Sequence, residues 1–150
     1  MVDRKETKRA QDLDEALEAI YFGFRALTAE PDQRLAVLGY SRVHHRVLYF
    51  IGRHPGCSIN ELLGLMGVTK QYLHRPLRSL ADDGYVRVKT DAADRRVKRL
   101  SLSAKGRGLE QELSGAQRRR FRAVFEQAGP QAEAGWRKVM ALLAASAGES

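Results

Sequence analysis

The chain has 150 residues, a formal net charge of +8 and a single cysteine, Cys57. This length suits one compact domain, residues 1–150, with an ordinary buried core. One cysteine excludes an intramolecular disulfide framework, and no apolar run approaches membrane-spanning length. The polar N-terminus lacks the apolar core of a signal peptide, so we expect a cytoplasmic protein with no membrane partner.

The positive charge is concentrated in the middle of the chain. Residues 41–100 contain twelve Lys and Arg against five Asp and Glu. Residues 1–40 contain six against eight, and residues 101–150 contain eight against five. A local excess of this kind points to an anionic partner that meets one region of the molecule.

Two helices are predicted in the first third of the chain. A heptad-like apolar row predicts the first, which ends near Glu30-Pro31-Asp32 because proline interrupts a helix. The second covers roughly residues 41–53 and stops at His54-Pro55-Gly56. The row of the first helix consists of Leu13, Leu17, Ile20, Phe24 and Leu27.

A short third helix and a longer fourth helix follow. Ser58-Ile59-Asn60-Glu61 forms a capping box that opens the third helix. After a turn at residues 67–69, Thr69 is a suitable N-cap for a fourth helix over residues 69–83. Leu73, Leu77 and Leu80 recur at the spacing of one buried helix face. The remaining side chains of this helix then face outward.

Pro76 stands in the middle of the fourth helix. It lacks the N–H that would bond to Tyr72, which costs about 3 kcal/mol unless the helix bends or starts late. We expect a kinked helix. If the helix instead begins at Pro76, then Gln71 and Tyr72 lie in the turn.

The pattern changes at residue 85, where apolar and basic residues alternate as in a half-buried strand. A polar loop over residues 91–96 and a return strand over residues 97–102 complete a hairpin. Ser103 can cap a long helix that runs to about Gln127, and Gly129-Pro130 separates it from a last helix. The predicted fold is therefore mainly α with a small β-hairpin.

The order helix, short helix, turn, helix and hairpin is the plan of a winged helix-turn-helix, here residues 41–102. In this plan the fourth helix enters a DNA major groove, and the hairpin, or wing, over residues 85–102 lies on the adjacent minor groove and backbone. Arginine side chains suit guanine, and Gln71 suits adenine. The candidate DNA contacts are Thr69, Lys70, Gln71, Tyr72, His74, Arg75, Arg78, Arg95 and Arg96. Further positive charge comes from Arg87, Lys89, Lys98 and Arg99.

The stretch GCSINELLGLMGVTKQYLHRPLRSLADDGYVRVKTDAADRRVKRLSLSAKG resembles the core of MarR-type transcriptional regulators. Its most specific part is DAADRRVKRLSLSAKG, because an Asp-Arg-Arg wing tip, a strand ending Leu-Ser-Leu and a capped Lys-Gly helix start are typical of that family. The resemblance covers about a third of the chain. The chain departs from the family at Tyr72 and His74, where small polar residues are common, and at Pro76, where an aliphatic residue is common.

The resemblance implies a homodimer that binds a pseudo-palindromic double-stranded DNA operator, with Asp94 helping to shape the wing tip. Residues 8–30 and 104–147 would form N- and C-terminal dimerisation helices that intertwine with a partner chain. A small phenolic or aromatic effector acting between these helices and the wing is a further expectation, as is repression that ends when this ligand binds. The candidate dimerisation residues are Leu13, Leu17, Ile20, Phe24, Trp136 and Leu143. Their periodicity equally fits the lining of a ligand cleft.

Other functions find less support in the sequence. No nucleophile–base pair, phosphate loop or paired carboxylate motif stands out, so we expect neither an enzyme nor a cofactor. His44 and His45 are adjacent and point about 100° apart on a helix, so we expect surface or helix-cap histidines rather than a metal site. Cys57 is either an inert loop residue or a thiol-based redox sensor. A winged helix that binds protein, or nucleic acid without reading it, is the other alternative.

Overall fold

The computed structural model describes residues 3–148, so both ends of the predicted domain 1–150 lie outside the described residues. Six helices and three short strands confirm the mainly α, winged helix-turn-helix class. No helix in the described range is both long and apolar enough to cross a membrane. The elements in order are α1 Arg4–Val37, α2 Arg42–Arg53, β1 Cys57–Ser58, α3 Ile59–Met66, α4 Lys70–Asp82, β2 Val86–Thr90, β3 Lys98–Leu102, α5 Ala104–Ala128 and α6 Pro130–Ser146.

Helix α1 is longer than the sequence indicated. It begins after Asp3, whose carboxylate accepts the Lys5 N–H at 3.0 Å. It continues through Pro31 to Val37, so the predicted end near Glu30-Pro31-Asp32 is wrong. Continuation buries Leu35, which is 1% exposed. Burial of a leucine contributes about 1.5–3 kcal/mol, which is comparable to the cost of about 3 kcal/mol for an interior proline.

One apolar core holds α4 in place. The predicted buried face of α4 is confirmed, because Leu73, Leu77 and Leu80 all belong to this core. Pro76 is buried on the same side. Residues of α2, α3, β3 and α5 complete the core, among them Val47, Leu48, Ile51, Leu62, Leu100, Leu109 and Leu113. The outward direction of the exposed α4 side chains follows from this packing.

The ends of α4 are set by hydrogen bonds that the sequence anticipates. The Tyr72 N–H donates to the Thr69 hydroxyl at 3.2 Å, so Thr69 is the N-cap and the helix starts at Lys70. The alternative start at Pro76 is therefore wrong, whereas the kink stays a prediction. At the other end Gly84 has φ 82°, and the Tyr85 N–H returns to a carbonyl of α4 at 2.8 Å. Left-handed glycine is the usual way to close a helix in this manner.

The sheet has three strands rather than the predicted two. β3 pairs antiparallel with β2, with Val88 opposite Leu100, and also with β1, with Cys57 opposite the same leucine. Cys57 therefore lies in a strand and not in a loop. β1 has only two residues, too few for the alternation by which a strand is recognised in a sequence.

The start of α5 is packed closely against the backbone of Tyr85, the residue before β2. The Gly106 N–H donates to the Ser103 hydroxyl at 3.0 Å, which confirms the predicted N-cap. The Ser103 N–H donates to the Tyr85 carbonyl at 3.0 Å. A Cβ at Gly106 would overlap that same carbonyl oxygen. Only glycine allows this approach of helix to strand.

Substitution of the two neighbouring glycines of α5 should have opposite effects. We expect Gly106→Ala to lower the free energy of unfolding by about 2–3 kcal/mol, because a backbone carbonyl must move to admit the methyl group. A Cβ at Gly108 meets no atom within 4 Å, so Gly108→Ala should raise stability by up to about 1 kcal/mol through helix propensity. Urea unfolding at one fixed protein concentration measures both. Equal stability of the two variants would contradict the close approach.

Candidate nucleic-acid interface

The outward face of α4 carries hydrogen-bond donors and is not covered by other residues of the described range 3–148. All predicted contact residues of the helix are exposed. Arg75 pairs with no carboxylate in residues 3–148, and Arg78 lies 3.8 Å from Asp82 in an exposed i,i+4 pair. Such pairs contribute little, so both guanidinium groups are available to a ligand. The exposed set is Thr69, Lys70, Gln71, Tyr72, His74, Arg75 and Arg78.

The wing tip is shaped by two aspartates. The Asp91 carboxylate accepts the backbone N–H groups of Ala93 at 2.8 Å and Asp94 at 3.0 Å. The Asp94 carboxylate accepts the backbone N–H of Arg96 at 3.1 Å and its guanidinium at 3.1 and 3.2 Å. The guanidinium and the backbone N–H of Arg96 hold the pKa of Asp94 below its usual range. Arg95 and Arg96 are both exposed at this ordered tip.

Arg99 joins the wing to α3, a role that the sequence does not indicate. Its Nε donates to Asp91 at 2.9 Å, while a terminal nitrogen donates to Glu61 at 3.3 Å and to the Gly56 carbonyl at 3.5 Å. The sequence predicts Arg99 only as part of the positive surface. Glu61 and Gly56 lie 38 and 43 residues from Arg99 in the chain, so no local pattern predicts these two contacts.

The start of α4 and the wing face a common groove of about 290 Å³. Lys70 reaches it from α4, and Asn60 comes from the first turn of α3. Arg96 and Lys98 line it from the wing. Lys70 of α4 thus lines the same groove as Arg96 and Lys98 of the wing. We use the name basic face for the exposed side chains Thr69, Lys70, Gln71, Tyr72, His74, Arg75, Arg78, Arg95, Arg96 and Lys98.

The candidate dimerisation residues form no core within one chain. Leu13, Leu17, Ile20, Phe24, Trp136 and Leu143 are between 40% and 68% exposed. Phe121, Phe125 and Trp136 cluster beside them, with ring centroids 5.2–5.4 Å apart. Exposed apolar patches of this extent in a folded chain commonly mark an interface.

The two adjacent histidines and the cysteine have structural roles in the fold. His44 Nδ1 accepts the Ser41 N–H at 3.0 Å, which confirms a helix-cap histidine. His45 is not on the surface: it is buried, with Nε2 3.0 Å from the Ser114 hydroxyl. Cys57 is 4% exposed, and burial raises the pKa of its thiol. A raised pKa disfavours the reactive thiolate, so this environment is opposite to that of a redox sensor.

Comparison with known proteins decides the family. The family model described as "MarR family" matches residues 38–97. The HTH-type transcriptional regulator PetP of Rhodobacter capsulatus is 47% identical over 130 residues, which span 87% of this chain and 78% of PetP. The chain belongs to the MarR family.

Solved structures of MarR-family regulators share the fold. A regulator from Silicibacter pomeroyi is 25% identical with a TM-score of 0.67, covering 89% of this chain and 88% of that one. FabT from Streptococcus pneumoniae, solved in complex with DNA, has a TM-score of 0.71 at 21% identity, covering 89% of this chain and 94% of FabT.

The MarR-family match includes the whole basic face apart from Lys98. It runs from the end of α1 through α4 to the wing tip. Tyr72, His74 and Pro76, where this chain departs from common family residues, therefore lie inside the match. Pro76 is accommodated as a buried residue, and the two other residues are exposed on α4.

Proposed function

We propose that this MarR-family protein is a homodimeric transcriptional regulator that represses by occupying a DNA operator and leaves it when a small molecule binds. One observation carries the proposal: Lys70, at the start of the exposed donor face of α4, lines one groove with Arg96 of the wing. The major groove, about 12 Å wide, admits one helix. A wing beside that helix then meets the neighbouring minor groove and backbone.

The basic face supports distinct roles for its residues. Arg75 and Arg78 can donate two hydrogen bonds to the acceptors of guanine, and Gln71 can donate to and accept from adenine. Lys70 and Thr69, at the start of α4, suit a phosphate, because backbone N–H groups and positive side chains converge there. Tyr72 and His74 are exposed beside them and belong to the same proposed contact surface.

Arg75→Ala tests base reading by α4. We expect specific operator binding to weaken by about 1–3 kcal/mol and the preference at one base position to relax. Fluorescence anisotropy on the operator, on its single-base variants and on scrambled DNA measures both effects. Arg4→Ala, which removes an exposed arginine outside the basic face and outside the proposed dimerisation region, is the matched control. An equal loss on operator and scrambled DNA would show that Arg75 only neutralises phosphate.

The wing arginines should act mainly through phosphate charge. Removal of Arg95 or Arg96 should lower affinity for all DNA sequences and reduce the magnitude of the slope of log K against log salt by about 1. Arg96 is held by Asp94, so its loss should also disorder the tip, whereas Arg95 has no such partner in residues 3–148. A salt slope unchanged in both variants would remove the wing from the DNA.

The exposed apolar rows of α1 and α6 support the proposed homodimer. A second copy of the chain would cover them, with residues 8–30 and 104–147 as the dimerisation region. Two-fold symmetry then presents two α4 helices about 34–36 Å apart, one helical turn of DNA, so that both meet successive major grooves.

Leu17→Glu tests the dimer interface. Leu17 is 68% exposed in the single chain, and a charge there would be buried without a partner in the dimer. Sedimentation velocity should show a dimer for the wild type and a shift to monomer for the variant. Leu65→Glu, which introduces the same charge at an exposed leucine of α3, should leave the dimer intact. Dimers of unchanged stability in both variants would contradict this interface.

A cavity of about 210 Å³ between α1, α2 and α5 supports an effector site. Arg42 is paired with Asp32 at 2.8 Å, but Arg46 pairs with no carboxylate in the described part of the chain. An aromatic carboxylate fits this chemistry, because apolar walls bury the ring and a guanidinium holds the acid group. The cavity is lined by Phe24, Leu27, Thr28, Pro31, Asp32, Arg42, His45, Arg46, Tyr49 and Gln117.

Arg46→Gln tests the effector site. A panel of benzoate derivatives, followed by thermal shift, should include ligands that stabilise the wild type and release the operator. The same ligands should bind the variant about 10-fold or more weakly, since one charge-assisted hydrogen bond is lost. Arg53→Gln, at the far end of α2, is the control. Equal stabilisation of wild type and Arg46→Gln would place the effector elsewhere.

A further inference from the structure

The C-terminal end of α4 is held by side chains from outside the helix-turn-helix. The Tyr40 hydroxyl, in the α1–α2 connection, donates to the Asp83 carboxylate. Lys105 Nζ, in the first turn of α5, donates to the Asp83 backbone carbonyl at 2.8 Å. The Ser103 hydroxyl donates to the Gly84 carbonyl at 2.5 Å. The C-terminal end of α4 is thus bonded to the α1–α2 connection and to the start of α5, in addition to its packing in the core.

Tyr40 is itself fixed, so it can act as an anchor. Its backbone N–H donates to the Leu35 carbonyl at 2.9 Å, which ties it to the last turn of α1. Its ring stacks on His44 of α2, with centroids 4.4 Å apart and planes 15° apart. Its edge meets Tyr85 at 5.8 Å. Because these three contacts fix Tyr40, its hydroxyl has a defined position relative to α1 and α2.

Asp83 is an unusual residue for this place. A carboxylate beside a helix C-terminus meets the negative end of the helix dipole, where a cation is favoured. Tyr40 and Lys105 provide the donors that offset this repulsion. Burial and the Asp83 carboxylate raise the pKa of the Tyr40 phenol, so the hydroxyl keeps its proton and remains a donor at neutral pH.

The Asp83 contacts lie at the end of α4 that is distant from its N-cap. With thirteen residues α4 is about 20 Å long, so a small change at the C-terminal end tilts the whole axis. α1 and α5 are in turn joined by the Arg34–Glu112 pair at 2.9 Å. Tilt in each of two protomers changes the distance between the two basic faces.

We propose that Tyr40 and Asp83 are positioning residues. Their hydrogen bond sets the angle of α4 against α1 and α5, and this angle sets the half-site spacing that the dimer accepts. This inference rests on the proposed function, since spacing has meaning only for a dimer on a two-part operator. Neither residue needs to touch DNA. The Tyr40–Asp83 bond affects the distance between the two α4 helices and not the bases that each helix contacts.

The test is affinity against a series of operators whose half-sites are moved apart or together by one base pair at a time, with a single half-site as reference. The wild type should show a sharp optimum. Tyr40→Phe keeps the ring and removes the hydroxyl; it should lower affinity at the optimum about three- to tenfold and broaden the profile. Affinity for the single half-site should change by less than about twofold, because α4 itself is intact.

Two further variants make the result decisive. Asp83→Ala should reproduce the broadened profile, and the double variant should add nothing, since both changes break one bond. Gln33→Ala removes an exposed side chain of α1 that makes no hydrogen bond in residues 3–148 and lies outside the proposed dimerisation region, so it should keep the sharp optimum. Thermal melts check that each variant folds, and Asp83→Ala serves alone if Tyr40→Phe does not.

The possible failures are distinguishable. A sharp wild-type optimum that both variants leave intact overturns the positioning role and spares the proposed function. An equal loss on the full operator and the single half-site also overturns it, because that pattern belongs to DNA contact or general destabilisation. A wild type that binds every spacing and scrambled DNA equally overturns the proposed function, and the positioning role with it.

Discussion

Burial of one leucine face determines the direction of the exposed side chains on α4. Leu73, Leu77 and Leu80 pack into the core, and the helix period then turns Gln71, Arg75 and their neighbours outward. Loss of that packing would leave the arginines present but without a fixed direction. Pro76 fits because it lies on the buried side, where its ring adds to the core.

Much of this arrangement is predictable because its causes are local. The N-cap of α4 at Thr69 and the glycine that ends it depend on residues within one turn. Other features depend on contacts between distant parts of the chain. α1 continues through Pro31 because Leu35 is buried in the core. β1 forms only by pairing with β3, and Arg99 of β3 bonds to Glu61 of α3. No window of sequence contains these causes.

A single chain leaves a large apolar surface exposed. Its core holds the winged helix-turn-helix together, while apolar side chains of α1 and α6 remain exposed. Exposure of apolar surface to water is unfavourable, and a second copy related by two-fold symmetry would bury it. The same dimer would place two basic faces on one side. The stability of the chain and the placement of its basic faces would then depend on the same dimer.

The most direct test is binding of the purified protein to the DNA upstream of its own gene and to scrambled DNA of equal composition, over a salt series. We expect sequence-specific recognition, in which the native DNA is bound about 10³-fold more tightly and the difference persists as salt rises. Equal and steeply salt-dependent binding to both DNAs would contradict it, because the basic face would then attract nucleic acid without reading its sequence.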